Sequence, residues 1–267
     1  MTSIGHLNLY RRTAAQAAVV LLAALLIKAF YSTASVNELR WILWPTKVVV
    51  EWITGTRFYF ESYSGYTSED RSFVIAASCS GVNFLIAVFL MLSLRMLWVR
   101  RRDSVAWLPL LSIVLLSYTV TIGANALRIS SALWLNSGQH SFAGLEREEL
   151  HRLDGIMVYF GVLLLVFFAY ERLTPRKQVV GWRTYVFPLS VYYAVTLAVP
   201  VMNGALGDAA FMQHSVFVLV TPVVLMGVIV LAAAILFRDR HRESGTAGAA
   251  FFPGDFGADQ AGTGADV

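Results

Sequence analysis

Residues 18–27 read Ala-Val-Val-Leu-Leu-Ala-Ala-Leu-Leu-Ile, with Arg11 and Arg12 ahead of them and Lys28 behind. Helix needs about 20 predominantly apolar residues to cross a bilayer, and this run lies at the centre of such a stretch. Working outward, five more apolar blocks follow, and the pattern predicts helices over residues 13–31, 73–94, 106–135, 155–170, 185–202 and 216–237. The fold class this implies is all-α: a polytopic integral membrane protein with about six transmembrane helices. Composition agrees, because 57% of the 267 residues are hydrophobic and only 14% are charged, against about 25% charged in soluble domains. The block at 106–135 is long for one crossing; it is expected to cross by residue 124 and to continue as a polar-faced extension over 125–136.

A secretory signal peptide is the rival reading of the first block, with Ser32-Thr33-Ala34 as a small-residue cleavage site. The run is longer than a usual signal core and Lys28 interrupts its end, so a retained helix is expected. The net charge of +4 does not imply nucleic acid. The basic residues lie in short runs beside apolar segments rather than on one folded face interleaved with aromatics. One cysteine excludes an internal disulfide and any CxxC metal or redox pair. No metal or cofactor is expected.

Lys and Arg in short loops mark the cytoplasmic side. Arg11 and Arg12 precede the first span; Arg95, Arg100, Arg101 and Arg102 follow the second; Arg172, Arg176, Lys177 and Arg183 follow the fourth; Arg238, Arg240 and Arg242 follow the sixth. In the intervening loops acids outnumber bases, five to four over 32–72 and four to two over 136–154, with Asp208 alone over 203–215, so both termini are placed in the cytoplasm. Residues 41–54, Trp-Ile-Leu-Trp-Pro-Thr-Lys-Val-Val-Val-Glu-Trp-Ile-Thr, are too short and too charged for a span. Their three tryptophans suit the headgroup level, and they are expected to form an interfacial or re-entrant helix on the outer surface. Residues 1–237 then make a membrane domain, and 238–267, rich in Gly, Ala and Asp, a disordered cytoplasmic tail. There is no internal repeat.

Threaded this way, three chemically notable residues reach the same outer face. Cys79, in Ala-Ala-Ser-Cys-Ser-Gly-Val-Asn, is expected a turn or two into the second helix, with Asn83 four residues on and on the same face. Arg128, in Gly-Ala-Asn-Ala-Leu-Arg-Ile, lies past the outer end of the third span and shares a face with Asn125. His151, in Glu-Leu-His-Arg-Leu-Asp-Gly, opens the fourth helix, where Asp154 is placed to hold one ring nitrogen. Each has an ordinary reading when taken alone: a small buried hydrophobe, a snorkelling arginine, a loop histidine. Three unrelated residues have no reason to share one membrane side and one depth. Together they suit acyl transfer. A cation lowers a thiol's pKa, the thiolate attacks a carbonyl, the arginine holds the thiolate or the oxyanion, and the histidine moves the proton. Hydrolysis and transpeptidation use the same three groups, and both stay open.

At these residues the chain resembles the exosortase/archaeosortase family of membrane transpeptidases. The resemblance rests on Ser-Cys-Ser-Gly-Val-Asn at 78–83, Asn-Ala-Leu-Arg-Ile at 125–129 and His-Arg-Leu-Asp-Gly at 151–155. The Trp-rich segment with Pro45 and Ile-Thr-Gly at 53–55 add to it, and it covers roughly residues 13–172. It implies Cys79 as nucleophile, Arg128 as charge stabiliser and His151 as general acid/base, the last closer to bacterial exosortases than to archaeal relatives. It also implies secreted substrate proteins carrying a C-terminal sorting signal, made of a short motif, a transmembrane helix and a basic tail. The enzyme would cleave after the motif in the inner (plasma) membrane and pass the protein to a surface glycan or lipid acceptor, in an exopolysaccharide setting. Compared with some members the chain shows fewer spans and no second periplasmic domain, which leaves subfamily and motif open.

A transport or assembly protein is the non-enzymatic alternative. Transporters usually place ionisable groups near mid-bilayer, whereas Lys28 and Arg95 lie toward span ends. A serine or metal membrane protease lacks its HExxH or GxSxG motif. If His151 is not the base, His140 and His214 are the next candidates.

Overall fold

The computed structural model describes residues 3–100, 107–137, 147–174, 182–202, 205–207 and 209–248. Eight α-helices appear among them: α1 (Ser3–Thr33), α2 (Arg40–Thr54), α3 (Val82–Val99), α4 (Trp107–Ser137), α5 (Arg147–Leu173), α6 (Trp182–Tyr193), α7 (Val199–Met202) and α8 (Ala209–Gly248). Five helical stretches are long and apolar enough to cross a membrane: Arg11–Thr33, Ala77–Val99, Trp107–Leu135, Glu149–Leu173 and Phe211–Leu231. The protein is all-α and polytopic, as its composition requires.

The sixth expected span, 185–202, is a shorter apolar helix, Val186–Val201. It is interrupted. Pro188 lies inside α6, a π-helical turn covers Ala194–Ala198, and Pro200 lies inside α7; each proline removes a backbone donor from the helix ladder. Helix nevertheless continues through these features from Trp182 to Met202; what is short is its apolar stretch, about 24 Å at 1.5 Å per residue against the ~30 Å hydrocarbon core.

α3 is the core helix. It is apolar on all sides, and its residues from Val82 to Phe89 are buried apart from Asn83, as are Met91, Leu92, Met96 and Leu97. A helix that is hydrophobic all round belongs inside a bundle, and α1, α4, α5 and α6 surround it. α1 does the reverse: Leu21, Leu22, Leu25 and Leu26 are exposed, which in this class of protein is a lipid-facing surface. At the end of the bundle away from Cys79, Arg95 on α3 meets Glu171 on α5 as a fork, Nε to Oε1 and Nη2 to Oε2 both at 2.7 Å. That two-point geometry is the strong form of the ion pair.

The segment expected at an interface is α2. Ile42, Leu43, Thr46 and Val50 are buried on one face, and α4 packs against the helix. Trp41, Trp44 and Trp52 are exposed, Trp52 by 86%. Pro45 lies inside this helix and cannot donate to the carbonyl of Trp41, four residues back; Tyr118 on α4 donates its hydroxyl to that carbonyl instead, at 2.6 Å.

Between α2 and α3 lies a small antiparallel sheet that hydropathy does not reveal. β1 (Phe58–Glu61), β2 (Gly65–Ser68) and β3 (Val74–Ile75) run in that order, with Phe58 opposite Ser68 and Tyr66 opposite Ile75. Gly65 sits at φ +118, where a Cβ would meet the Ile75 carbonyl. Asp70 fixes the β2–β3 turn by accepting from Ser68 Oγ at 2.6 Å and from the Ser72 amide at 3.2 Å. Those bonds hold its carboxyl down at about 2, so it is ionised at neutral pH. The sheet delivers the chain to Cys79 within four residues of β3.

α4 runs without a break through the expected 124/125 boundary. From Trp107 to Arg128 it rises about 31 Å, one hydrocarbon thickness. The described residues up to Val223 form one compact unit, and those from Val224 to Gly248, all of them helix, belong to a second. Helix therefore occupies 238–248, the first part of the expected tail. Residues 249–267 and His140 lie outside the described residues.

Candidate active site

Cys79 is not inside α3, as hydropathy suggested. It sits in a single 3-10 turn, Ala77–Ser80, which ends at Gly81 before α3 begins. Gly81 has φ +74, a left-handed conformation that costs a non-glycine residue about 1–2 kcal/mol. A Cβ there would stand 3.2 Å from Asn125 Cγ and 3.3 Å from Thr121 Cγ2. Glycine thus lets the Cys79 turn both reverse and lie flat against α4. The break also removes Asn83 from the face of Cys79. Asn83 instead accepts from Lys28 Nζ on α1 at 2.8 Å, and Lys28 lies over the Tyr31 ring.

The turn is tied to α4 by Asn125, a fully buried side chain. Its Nδ2 donates to the Cys79 carbonyl at 2.5 Å. Its Oδ1 accepts from the Tyr159 hydroxyl on α5 at 2.7 Å. Arg128, three residues along the same face of α4, comes over the Tyr159 ring at 5.4 Å and donates to its hydroxyl through Nη1 at 3.5 Å. The ring of Tyr159 stacks in turn on Phe84 at 4.7 Å. The expected common face for Asn125 and Arg128 is therefore present, and what both touch is Tyr159.

α5 begins at Arg147, so His151 lies in its second turn rather than ahead of it. His151, Gly155 and Tyr159 follow at four-residue spacing and share one face. Gly155 is where Arg128 lies down: a Cβ there would be 3.0 Å from Nε and 3.6 Å from Cδ. That Nε is buried without a hydrogen-bond partner. Asp154 does not bind the His151 ring as expected. Its Oδ2 accepts from Ser131 Oγ on α4 at 2.6 Å, because α4 rather than the histidine lies opposite its face.

A cavity of about 230 Å³ opens here. Arg128, His151, Asn83, Gly155 and Tyr159 line it, with Ser78 and Gly81 from either side of Cys79. Cys79 itself is half-buried and is not among the lining residues, and neither are Asn125 and Asp154. The far wall comes from Tyr192 and Thr196 at the π-helical turn and from His214 and Val218 on α8. Among the described residues no carboxylate lines the cavity. Ser78 and Gly81 of the Cys79 turn, the Arg128 guanidinium and the His151 imidazole thus meet around one cavity at one end of the bundle.

A model of the family described as transmembrane exosortase (Exosortase_EpsH) matches residues 7–169, more than half of the chain. The chain belongs to the transmembrane exosortase family. Its matched span ends inside α5, so α1 to α5, the sheet and the Cys79 turn fall within the exosortase region, while the α6–α8 wall of the cavity falls outside it. No curated protein and no solved structure matches the chain. Membership makes this exosortase a multi-pass membrane protein of a transpeptidase and protein-sorting family, with proteins as substrates. Sequence reasoning missed Tyr159, Gly155, Lys28 and Ser131. The spacing His151, Gly155, Tyr159 was the available signal for the first two, hidden because aromatic residues in a span read as packing.

Proposed function

We propose that this exosortase is a cysteine transpeptidase or peptidase that removes the C-terminal sorting signal of secreted proteins through a thioester on Cys79. The Cys79 thiol gives its proton to His151, and the sulfur attacks the scissile carbonyl carbon. Negative charge moves to the carbonyl oxygen, where the Arg128 guanidinium stabilises it. The C–N bond breaks, His151 returns the proton to the departing amine, and the substrate is left as a thioester. An acceptor nucleophile, a surface glycan or lipid group or water, then attacks the thioester, gives its proton to His151 and releases the sulfur.

The observation that carries this reading is the position of Arg128, which lines one cavity with His151 and with Ser78 and Gly81 of the Cys79 turn while its ring contact, Tyr159, is bonded through Asn125 to that turn. The distribution of Lys and Arg supports an extracytoplasmic position for this end of the bundle, in the inner (plasma) membrane, with both termini in the cytoplasm. A substrate's transmembrane helix would then present its outer end beside the cavity. Residues beyond the helical part of α8 are proposed as a cytoplasmic tail.

The test is processing of a co-expressed secreted protein that ends in a short motif, an apolar helix and a few arginines. Cys79→Ala should abolish processing at normal membrane level. Arg128→Lys should be nearly as damaging, since an ammonium offers neither the planar fork nor the same ring contact, and His151→Ala should slow both half-reactions. Processing retained by Cys79→Ala removes the enzyme reading.

A further inference from the structure

The phenol of Tyr159 is a half-buried polar group in an apolar helix, and such a group is costly to the extent that it is withdrawn from water and left unbonded. Its hydroxyl donates to Asn125 Oδ1 at 2.7 Å. Neither the stack on Phe84 nor the cation–π contact with Arg128 needs a hydroxyl; phenylalanine would serve for both. Of the hydroxyl's two contacts, the one from Arg128 Nη1 is long, at 3.5 Å, and the short one fixes a carboxamide. An amide side chain has one accepting and one donating end. With its oxygen taken by Tyr159, the Asn125 NH2 must face the other way, toward the Cys79 carbonyl. Gly81 brings the turn close enough for that bond to form. One hydroxyl therefore links α5, α4 and the turn that carries the sulfur, and the same α5 face carries His151 two turns earlier.

We propose that Tyr159 is a positioning residue for the reaction: through Asn125 it holds the Cys79 turn in register with Arg128 and with His151 on its own helix. This rests on the acyl transfer proposed above. It assigns a task to a residue that does not itself meet the scissile bond. Without the hydroxyl, Asn125 is free to rotate, the Cys79 carbonyl loses its donor, and the turn moves relative to the arginine. A misplacement on the order of 1 Å at a reacting group costs about 100-fold in rate.

Cys79 is the chain's one cysteine, so its position can be read without a substrate. Membranes holding the wild type, Tyr159→Phe, Asn125→Ala and the double variant are treated with N-ethylmaleimide at fixed pH, and the labelling rate is followed by mass. Processing of the co-expressed substrate is measured beside it, as kcat and KM on the purified pair. Tyr159→Phe should reach normal membrane level, because the ring stack is kept. It should label at least threefold faster as the turn loosens, and lose roughly tenfold or more in kcat with KM within twofold. The double variant should lie within about twofold of Asn125→Ala alone, since the two residues share the short bond and only the long Arg128 contact is lost separately.

Wild-type labelling and kcat in Tyr159→Phe overturn the proposal. So does faster labelling with kcat within twofold, which makes Tyr159 a packing residue, and so do effects that multiply in the double variant. Failure of the acyl-transfer reading looks different: Cys79→Ala would then still process substrate, whatever Tyr159→Phe does.

Discussion

Replacing Gly155 by alanine should raise local helix stability and lower activity, two effects of opposite sign from one methyl group. Gly155 is inside α5, where glycine is worse than alanine by about 0.8–1.0 kcal/mol. Nothing in the helix itself objects to the change. The obstacle is Arg128, whose Nε would stand 3.0 Å and Cδ 3.6 Å from the new carbon. Comfortable heavy-atom contacts lie near 3.5–4.0 Å, so the side chain must give by a few tenths of an ångström. Its guanidinium rests over Tyr159, and the shift is passed on to that contact. A displacement of ~1 Å at a reacting group corresponds to a rate loss of about 100-fold, or ~2.7 kcal/mol in the barrier; in proportion, a few tenths slows the reaction by roughly 3- to 10-fold. The assay is a processing time course in membranes, paired with thermal melting of the purified protein. The expected result is a melting temperature at or above that of the wild type, with processing slowed roughly 3- to 10-fold. Near-normal processing would show that the resting place of Arg128 against Gly155 has no bearing on the reaction, and the site as described would be wrong.

Two further outcomes follow from the same geometry. Gly81→Ala should cost both the left-handed backbone, about 1–2 kcal/mol, and a clash with Asn125 and Thr121 at 3.2–3.3 Å, so melting temperature and processing should fall together; unchanged melting would mean that the turn adapts freely. At the other end of the bundle, Arg95→Ala or Glu171→Ala breaks a forked pair that is largely buried and should destabilise by about 3–5 kcal/mol through the partner left behind. The double variant should recover part of that loss, and processing per folded molecule should stay normal; a rate defect beyond the loss of folded protein would implicate this end in the chemistry.

The membrane architecture was legible because hydropathy is a long-range average that tolerates local error. Five of the six expected blocks are spans by length and composition, and the sixth has an apolar stretch of only Val186–Val201 within a helical run that contains Pro188, Pro200 and a π-helical turn. The same averaging hid what happens just before α3. Residues 73–81 are apolar enough to extend the helix on paper, yet Gly81 in a left-handed conformation cuts the run, and Val74–Ile75 pair with β2. Strands of two to four residues carry too little pattern to compete with a hydropathy window. The grouping of Cys79, Arg128 and His151 at one end was readable from topology alone, because helix ends inherit their side from the loops. Their partners were not. Asp154 bonds Ser131 rather than His151, and Asn83 bonds Lys28 rather than standing beside Cys79, since spacing within one helix says nothing of which neighbour lies opposite. Tyr159 was invisible for a related reason: an aromatic in a span counts as apolar until its hydroxyl is seen to have a partner.

The claim beneath all of this is that acyl chemistry passes through the Cys79 sulfur. Hydroxylamine added to membranes during processing intercepts a thioester and leaves the substrate with a C-terminal hydroxamate, detectable by intact mass. The account predicts that hydroxamate-ended substrate forms with the wild type and is absent with Cys79→Ala at equal membrane level. The same hydroxamate formed by the Cys79→Ala variant would contradict it.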